Sequence, residues 1–161
     1  MNFKDAVMES PEAVRRSFRP GKQALRPYAD KIACADDMRI TGSVDIDAAL
    51  RTDPTHAQAP RWDYGLGYQP PDVNNEFAIW VEVHSAESSE VQPILKKLMW
   101  LKNYLKSECP ALWKMTYTGK QKPKAFVWIS SKGVHITRNS SYARLLAQHG
   151  LDWPTKFLKL P

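Results

Sequence analysis

The stretch that most constrains this chain is Phe77-Ala78-Ile79-Trp80-Val81-Glu82-Val83-His84. It is almost wholly apolar and rich in β-branched and aromatic side chains, the pattern of a central strand covered on both faces. One acid, Glu82, stands inside it, and a carboxylate there is costly unless it finds a partner. Shortly afterwards Ser89-Glu90-Val91-Gln92 has the form of a capping box. Val91, Ile94, Leu98, Leu101 and Leu105 then recur at helical spacing up to about residue 106, with Gln92, Lys96 and Asn103 on the opposite side. A buried strand feeding a long amphipathic helix points to an α/β architecture built on a sheet.

The flanking segments extend that order. Ser43-Val44-Asp45-Ile46-Asp47-Ala48 alternates, which predicts a strand within residues 38–50 carrying Val44, Ile46 and Ala48 on one face and Asp45 and Asp47 on the other. Residues 61–68 alternate as well, so Trp62, Tyr64, Leu66 and Tyr68 are expected on one face and Asp63, Gly65 and Gly67 on the other. Near the start, Ser10 is placed as N-cap and Pro11 at the first helical position. Residues 12–31, broken at Pro20-Gly21, read as two short helices or a kinked one with Arg15, Arg16, Arg19, Lys22 and Arg26 exposed. Residues 124–130 form a second buried strand, and Ser131-Lys132-Gly133 is expected to turn it into a hairpin partner at 134–136. Ser140 or Ser141 caps a last helix running through His149, with Gly150 closing it. Residues 152–161 receive no assignment. The expected order is helix, a three-stranded meander, a long helix, a strand hairpin and a final helix, in one domain over residues 1–161 with a core at approximately 12–150.

Composition removes several classes of function. A chain of 161 residues, 43% hydrophobic and 25% charged, is neither disordered nor fibrous. No apolar run approaches the 18 or so residues of a membrane span, and the first residues have no apolar targeting core, so a cytoplasmic protein without a membrane partner is expected. Cys34 and Cys109 are too far apart in sequence for a short metal-ligand spacing. His56, His135 and His149 are too scattered to suggest zinc. Nucleotide-binding loops, dinucleotide fingerprints, nucleophile elbows and zinc-protease motifs do not occur.

Charge is unevenly distributed. Residues 1–40 hold 8 bases and 6 acids; residues 41–92 hold 9 acids against Arg51 and Arg61; residues 93–161 hold 13 bases against Glu108 and Asp152. Acids able to hold a divalent cation, set in a chain otherwise basic, suit an enzyme acting on a polyanion. A solvated lysine-rich surface explains the same bases without a function. The run Lys120-Gln121-Lys122-Pro123-Lys124 fits either phosphate contacts or a solvated turn.

Asp63 on the second strand, then Glu82-Val83-His84 on the third 19 residues later, then the long helix, resembles the core of the PD-(D/E)xK, restriction-endonuclease-like superfamily. The resemblance covers roughly residues 12–130. It implies an α-β-β-β-α-β sandwich with a mixed sheet flanked by helices, and metal-dependent hydrolysis of phosphodiesters. Carried over residue by residue, it makes Asp63 and Glu82 the Mg²⁺ ligands, with Trp62 standing where the motif has proline. His84 occupies the position of the superfamily's lysine, as general base or metal ligand. Lys96, on the following helix, is the substitute for that lysine. Asp45 is the candidate for an extra ligand.

The chemistry also stands without the family. Two carboxylates brought together on adjacent strands repel, and Mg²⁺ relieves the repulsion while activating water. Gly65 and Gly67 beside Asp63 would leave room for a substrate backbone. The alternative is a non-catalytic module that keeps the fold and binds nucleic acid or a protein partner. Geometry separates the two: an enzyme needs Asp63 and Glu82 converging in an open cleft, whereas a binding module permits Glu82 to be sealed under a salt bridge.

Overall fold

A computed structural model of the protein describes residues 1–118, 124–137 and 141–161. The elements in chain order are α1 (Phe3–Met8), α2 (Glu12–Ser17), β1 (Ile32–Cys34), β2 (Ile40–Asp45), α3 (Ile46–Leu50), β3 (Tyr64–Tyr68), β4 (Phe77–Glu87), α4 (Val91–Glu108), α5 (Pro110–Met115), β5 (Phe126–His135), α6 (Ser141–Gln148) and β6 (Leu158–Leu160). The fold is mixed α/β. Its main sheet runs β2-β3-β4-β5, antiparallel through the first three strands and parallel between β4 and β5. The parallel step is made by α4 as crossover, the connection such a pairing requires.

β4 divides the interior in two. Ala78, Trp80 and Ala86 point into a cluster shared with the helices, including Val91, Ile94, Leu98 and Leu101 of α4 and Phe3 and Val7 of α1. Ile79, Val81 and Val83 point into a second cluster with Leu66, Val127 and Ile129, roofed by Ile32 of β1 and Leu158 and Leu160 of β6. β1 and β6 pair in parallel as a small separate sheet, which gives the unassigned tail a place. Gly65 and Gly67 face the helix side. A Cβ at Gly65 would lie 2.5 Å from the Trp80 ring, and one at Gly67 2.5 Å from Cβ and Cγ of Phe3. These glycines make room for core aromatics, so the substrate space expected beside Asp63 is already filled.

Several local expectations change. The strand expected within residues 38–50 stops at Asp45, whose carboxylate accepts from Ala48 N at 2.8 Å and starts α3; aspartate at an N-cap competes with strand continuation. Trp62 lies before β3 and packs with the helices, apart from Tyr64, Leu66 and Tyr68. Ser10 caps nothing: its hydroxyl donates to Ala6 O at 3.1 Å, and Pro11 holds the N-cap position of α2. Between α2 and β1 the chain makes only short 3₁₀ turns, at Gln23–Leu25 and Ala29–Lys31. The capping box at Ser89 does not close either; a 3₁₀ turn at Ser88–Glu90 leads into α4 with no side-chain cap.

β5 is one strand where a hairpin was expected. Its pairing with β4 jumps from His84↔Ser130 to Ala86↔Val134, and the extra residues bulge out with Gly133 at φ 111° and its N–H donating to Ser130 Oγ at 2.8 Å. α6 begins at Ser141, and Ser140 lies outside the described residues. At its far end Leu151 N donates to Leu146 O and Gly150 N to Ala147 O, both at 3.1 Å, the paired closure expected of Gly150.

Candidate functional site

Asp63 and Glu82 meet where β3 and β4 part. The ladder gives Tyr64↔Val81 as its last pair, so Asp63 and Glu82 are next in register and share the helix-facing side. Beyond that pair, side-chain carboxylates take over from backbone carbonyls. Asp63 N donates to Glu82 Oε2 at 3.0 Å, and Val83 N donates to Asp63 Oδ2 at 3.0 Å. Each acid thus braces the other's strand. The Asp63 carbonyl accepts from Ile46 N at 2.8 Å and Asp47 N at 3.3 Å, tying the first turn of α3 to the same point.

Glu82 is 0% exposed, and the buried Trp62, Trp80 and Trp128 belong to the cluster on its side of the sheet. Its partner is Lys97 of α4, whose ammonium donates to Glu82 Oε1 and whose side chain is 25% exposed. Burial, reinforced by the charge of Asp63, pushes the Glu82 carboxyl up to about 8 against the pull of Lys97. The Asp63 carboxyl is also raised by burial, with Lys97 and the Val83 N–H opposing. Burial lowers the proton affinity of the Lys97 ammonium, but Glu82 and Asp63 outweigh it and the net direction is up.

The other sequence-predicted residues are placed as follows. His84, two positions after Glu82, is 36% exposed, and its Nε2 lies 2.9 Å from Glu90 Oε2. Its carbonyl accepts from Trp128 Nε1 at 3.1 Å. Lys96 is exposed on α4 and is not the lysine at Glu82. A helix turns about 100° per residue, so Lys97 lies beside the apolar stripe while Lys96 stays with Gln92 on the polar side. The stripe itself carried the signal that distinguishes these lysines. Glu90, the partner of His84, had no such signal, because its role depends on the 3₁₀ turn ahead of α4.

Asp45 is occupied as the cap of α3, and burial raises its carboxyl. Asp47 is held by Arg51 Nη2 at 2.8 Å and Arg61 Nε at 3.1 Å. Arg61 belongs to this second cluster, not to Asp63. Lys120 and Lys122 lie outside the described residues, and Lys124 is half-buried.

Among the described residues no group of three or more His, Cys, Asp or Glu side chains is arranged to hold a metal ion. Asp63 and Glu82 form a pair of oxygen donors, a set that suits a hard divalent cation completing its shell with water and phosphate oxygens. No described helix is long and apolar enough to cross a membrane. Compared with known proteins, the chain matches no family model, no curated protein and no solved structure.

Proposed function

We propose that this chain is a Mg²⁺-dependent phosphodiesterase acting on nucleic acid, a degenerate relative of the PD-(D/E)xK, restriction-endonuclease-like enzymes. The observation that carries the reading is the opposition of Asp63 and Glu82 on one side of neighbouring strands, with the Lys97 ammonium on Glu82. Lys97 takes the part that the sequence offered to Lys96. Two carboxyls whose proton affinity is raised by burial, and in Glu82 also by the charge of Asp63, favour added positive charge. Asp63 and Glu82 would hold the metal ion, which lowers the pKa of bound water and offsets charge on the phosphate.

The chain's own residues supply the rest. Lys97, anchored by Glu82 and partly open to solvent, places a fixed cation where the diester's oxygens gather charge. With Nε2 turned to the Glu90 carboxylate, the His84 ring carries its proton there and presents Nδ1 as an acceptor, the arrangement of an oriented base. The basic C-terminal part of the chain supplies the field that draws a polyanion toward the acids.

A second reading is favoured by one specific observation: Glu82 is fully buried beneath Lys97, which is the sealed arrangement and not the open cleft that the enzyme needs. A sealed acid suits a module that retains the fold and binds nucleic acid or a protein without cleaving it. Incubation with DNA and RNA in Mg²⁺ or Mn²⁺ decides between them. The phosphodiesterase reading expects cleavage that Glu82→Gln and Asp63→Asn each abolish while circular dichroism stays that of the parent. Absence of cleavage on every substrate hands the site to the second reading, and cleavage that survives both substitutions removes these acids from the chemistry.

A further inference from the structure

A cleft of about 510 Å³ opens between α2, the turn following it, and α3. Arg16, Arg19 and Gln23 line it from the α2 side, Asp45 and Thr52 from the two ends of α3, and four alanines supply its apolar lining. Arg19 is fixed before any ligand arrives. Its N–H donates to Ser43 O at 2.9 Å and its carbonyl accepts from Ser43 N at 2.8 Å, which adds this residue to the edge of β2. Its Nη1 donates to the carbonyls of Arg16 at 3.0 Å and Phe18 at 2.7 Å. Among the described residues only Nη1 of its three guanidinium nitrogens is used in this way, and the rest of the fork matches a phosphate. Arg16 is paired with Glu12 at 2.6 Å, but both side chains are well exposed and the pair exchanges readily with water or an anion.

Asp45, two residues along β2 from the Ser43 that Arg19 pairs with, adds an acid to the same cleft. Asp45 commits Oδ1 to Ala48 N, leaving a carboxylate oxygen that can only accept. It repels a phosphate and attracts the amino and ring N–H donors of a nucleobase edge. Arginines, a carboxylate and small apolar side chains lining one cleft match one unpaired nucleotide. We infer that this cleft is a subsite for a single unstacked nucleotide of a single-stranded nucleic acid, its phosphate on Arg19 and its base edge toward Asp45 and Gln23.

The subsite rests on the phosphodiesterase reading for its relation to the acid pair. Asp45 is paired in register with Tyr64, the neighbour of Asp63. From β2 to β4 is two strand spacings, about 10 Å, which an unstacked single strand, longer per step than the roughly 3.4 Å of a stacked duplex, covers in fewer than three nucleotides. A strand threaded past Asp63 and Glu82 therefore reaches the cleft within that many nucleotides of the bond to be cut.

The test is fluorescence anisotropy of a short labelled single-stranded oligonucleotide against the full chain in EDTA, repeated over a salt series. Arg19→Gln is expected to weaken binding about tenfold and to lower the salt slope by roughly 0.7, the share of one single-strand phosphate contact. Lys159→Gln, which removes the same charge from the exposed face of β6, is expected to change the affinity less than about twofold. Asp45→Asn keeps a good N-cap and is expected to alter the ranking of the four homopolymers more than the mean affinity. Equal losses for Arg19→Gln and Lys159→Gln overturn the subsite in favour of a diffuse basic surface, and so does tighter binding of the matching duplex. Absence of binding by the parent chain at low salt overturns it as well. Hydrolysis of bis(4-nitrophenyl) phosphate by the parent chain in Mg²⁺ or Mn²⁺ is read separately. If neither that diester nor DNA or RNA is cleaved while oligonucleotide binding depends on Arg19, the subsite stands and the phosphodiesterase reading falls.

Discussion

Two ion-pair clusters border Asp63 and are built in opposite ways. On one side Glu82, wholly buried, is paired among the described residues with one cation, Lys97. On the other, Asp47 is 29% exposed and shared between Arg51, 64% exposed, and Arg61, 13% exposed. If its partners withdraw, Asp47 is re-hydrated, whereas Glu82 has no water to fall back on. Charge pairing therefore adjusts the surface cluster but decides the state of the interior one, because desolvation is the larger energy inside. The contrast bears directly on function. A surface acid with two arginines is a strut, while an interior acid short of positive charge can be re-partnered.

Lys97→Met should produce the largest effect. It leaves Glu82 buried without a cation, and in metal-free protein at about pH 8 or above it is expected to cost about 3–5 kcal/mol in urea denaturation. The sign with pH follows from the raised Glu82 carboxyl, at about 8 against an ordinary 4.5. The folded chain keeps a proton that the unfolded chain releases. This part of the stability is complete below about pH 4.5 and is lost as pH rises to about 8. Glu82→Gln should flatten that fall. In Lys97→Met the penalty should shrink in acid, where a protonated Glu82 needs no cation. Equal urea midpoints for the parent and Lys97→Met at about pH 8 would break the comparison, since Glu82 would then be neutral without help.

The same contrast explains what could be read from the sequence. β4 was legible because its apolar, β-prone run is almost continuous, as a strand lying between two apolar clusters requires. The need of Glu82 for a partner was legible too, as was the apolar stripe of α4. What misled was alternation too short to choose between periods. Ser43 to Ala48 fits a strand, yet Ile46 and Leu50, both buried, also stand four apart, and Asp45 is a good cap. Gly133 has turn chemistry, but its positive φ serves a bulge beside a parallel partner distant in sequence. Residues 32–34 and 158–160 are only three long, with nothing local to show that they pair. Lys97 could have been found in place of Lys96 by asking which lysine borders the stripe.

Arg61→Ala tests the other cluster at its most buried member. Besides Asp47 it holds the loop ahead of β3, its Nη1 donating to His56 O at 3.1 Å and to the Ala57 carbonyl. Removing it orphans those acceptors, and a loss of about 2 kcal/mol is expected, smaller than for Lys97→Met. Arg61→Lys should recover little, since an ammonium cannot span the same set of oxygens. Amide exchange should speed up across residues 51–61 while β4 stays protected. A loss confined to β4 would mean that Arg61 supports the sheet instead of the loop.

Asp47→Asn should have the smallest effect, below about 1 kcal/mol, because Arg51 is well exposed and can turn to water while Arg61 keeps the carbonyls of Asp47, His56 and Ala57 as partners. The amide still accepts from Arg61, so loop geometry should persist. The variant also sharpens the comparison. Asp47 contributes to the raised carboxyl of Asp63 and helps to hold Lys97 protonated. Its neutralisation should move the Asp63 titration, followed by carboxyl carbon NMR, toward the ordinary carboxylate range while the urea midpoint hardly changes. A midpoint loss as large as that of Lys97→Met would make the surface cluster structurally equal to the interior one. An unmoved Asp63 would instead show that the two clusters, though they share a backbone carbonyl, are electrostatically separate.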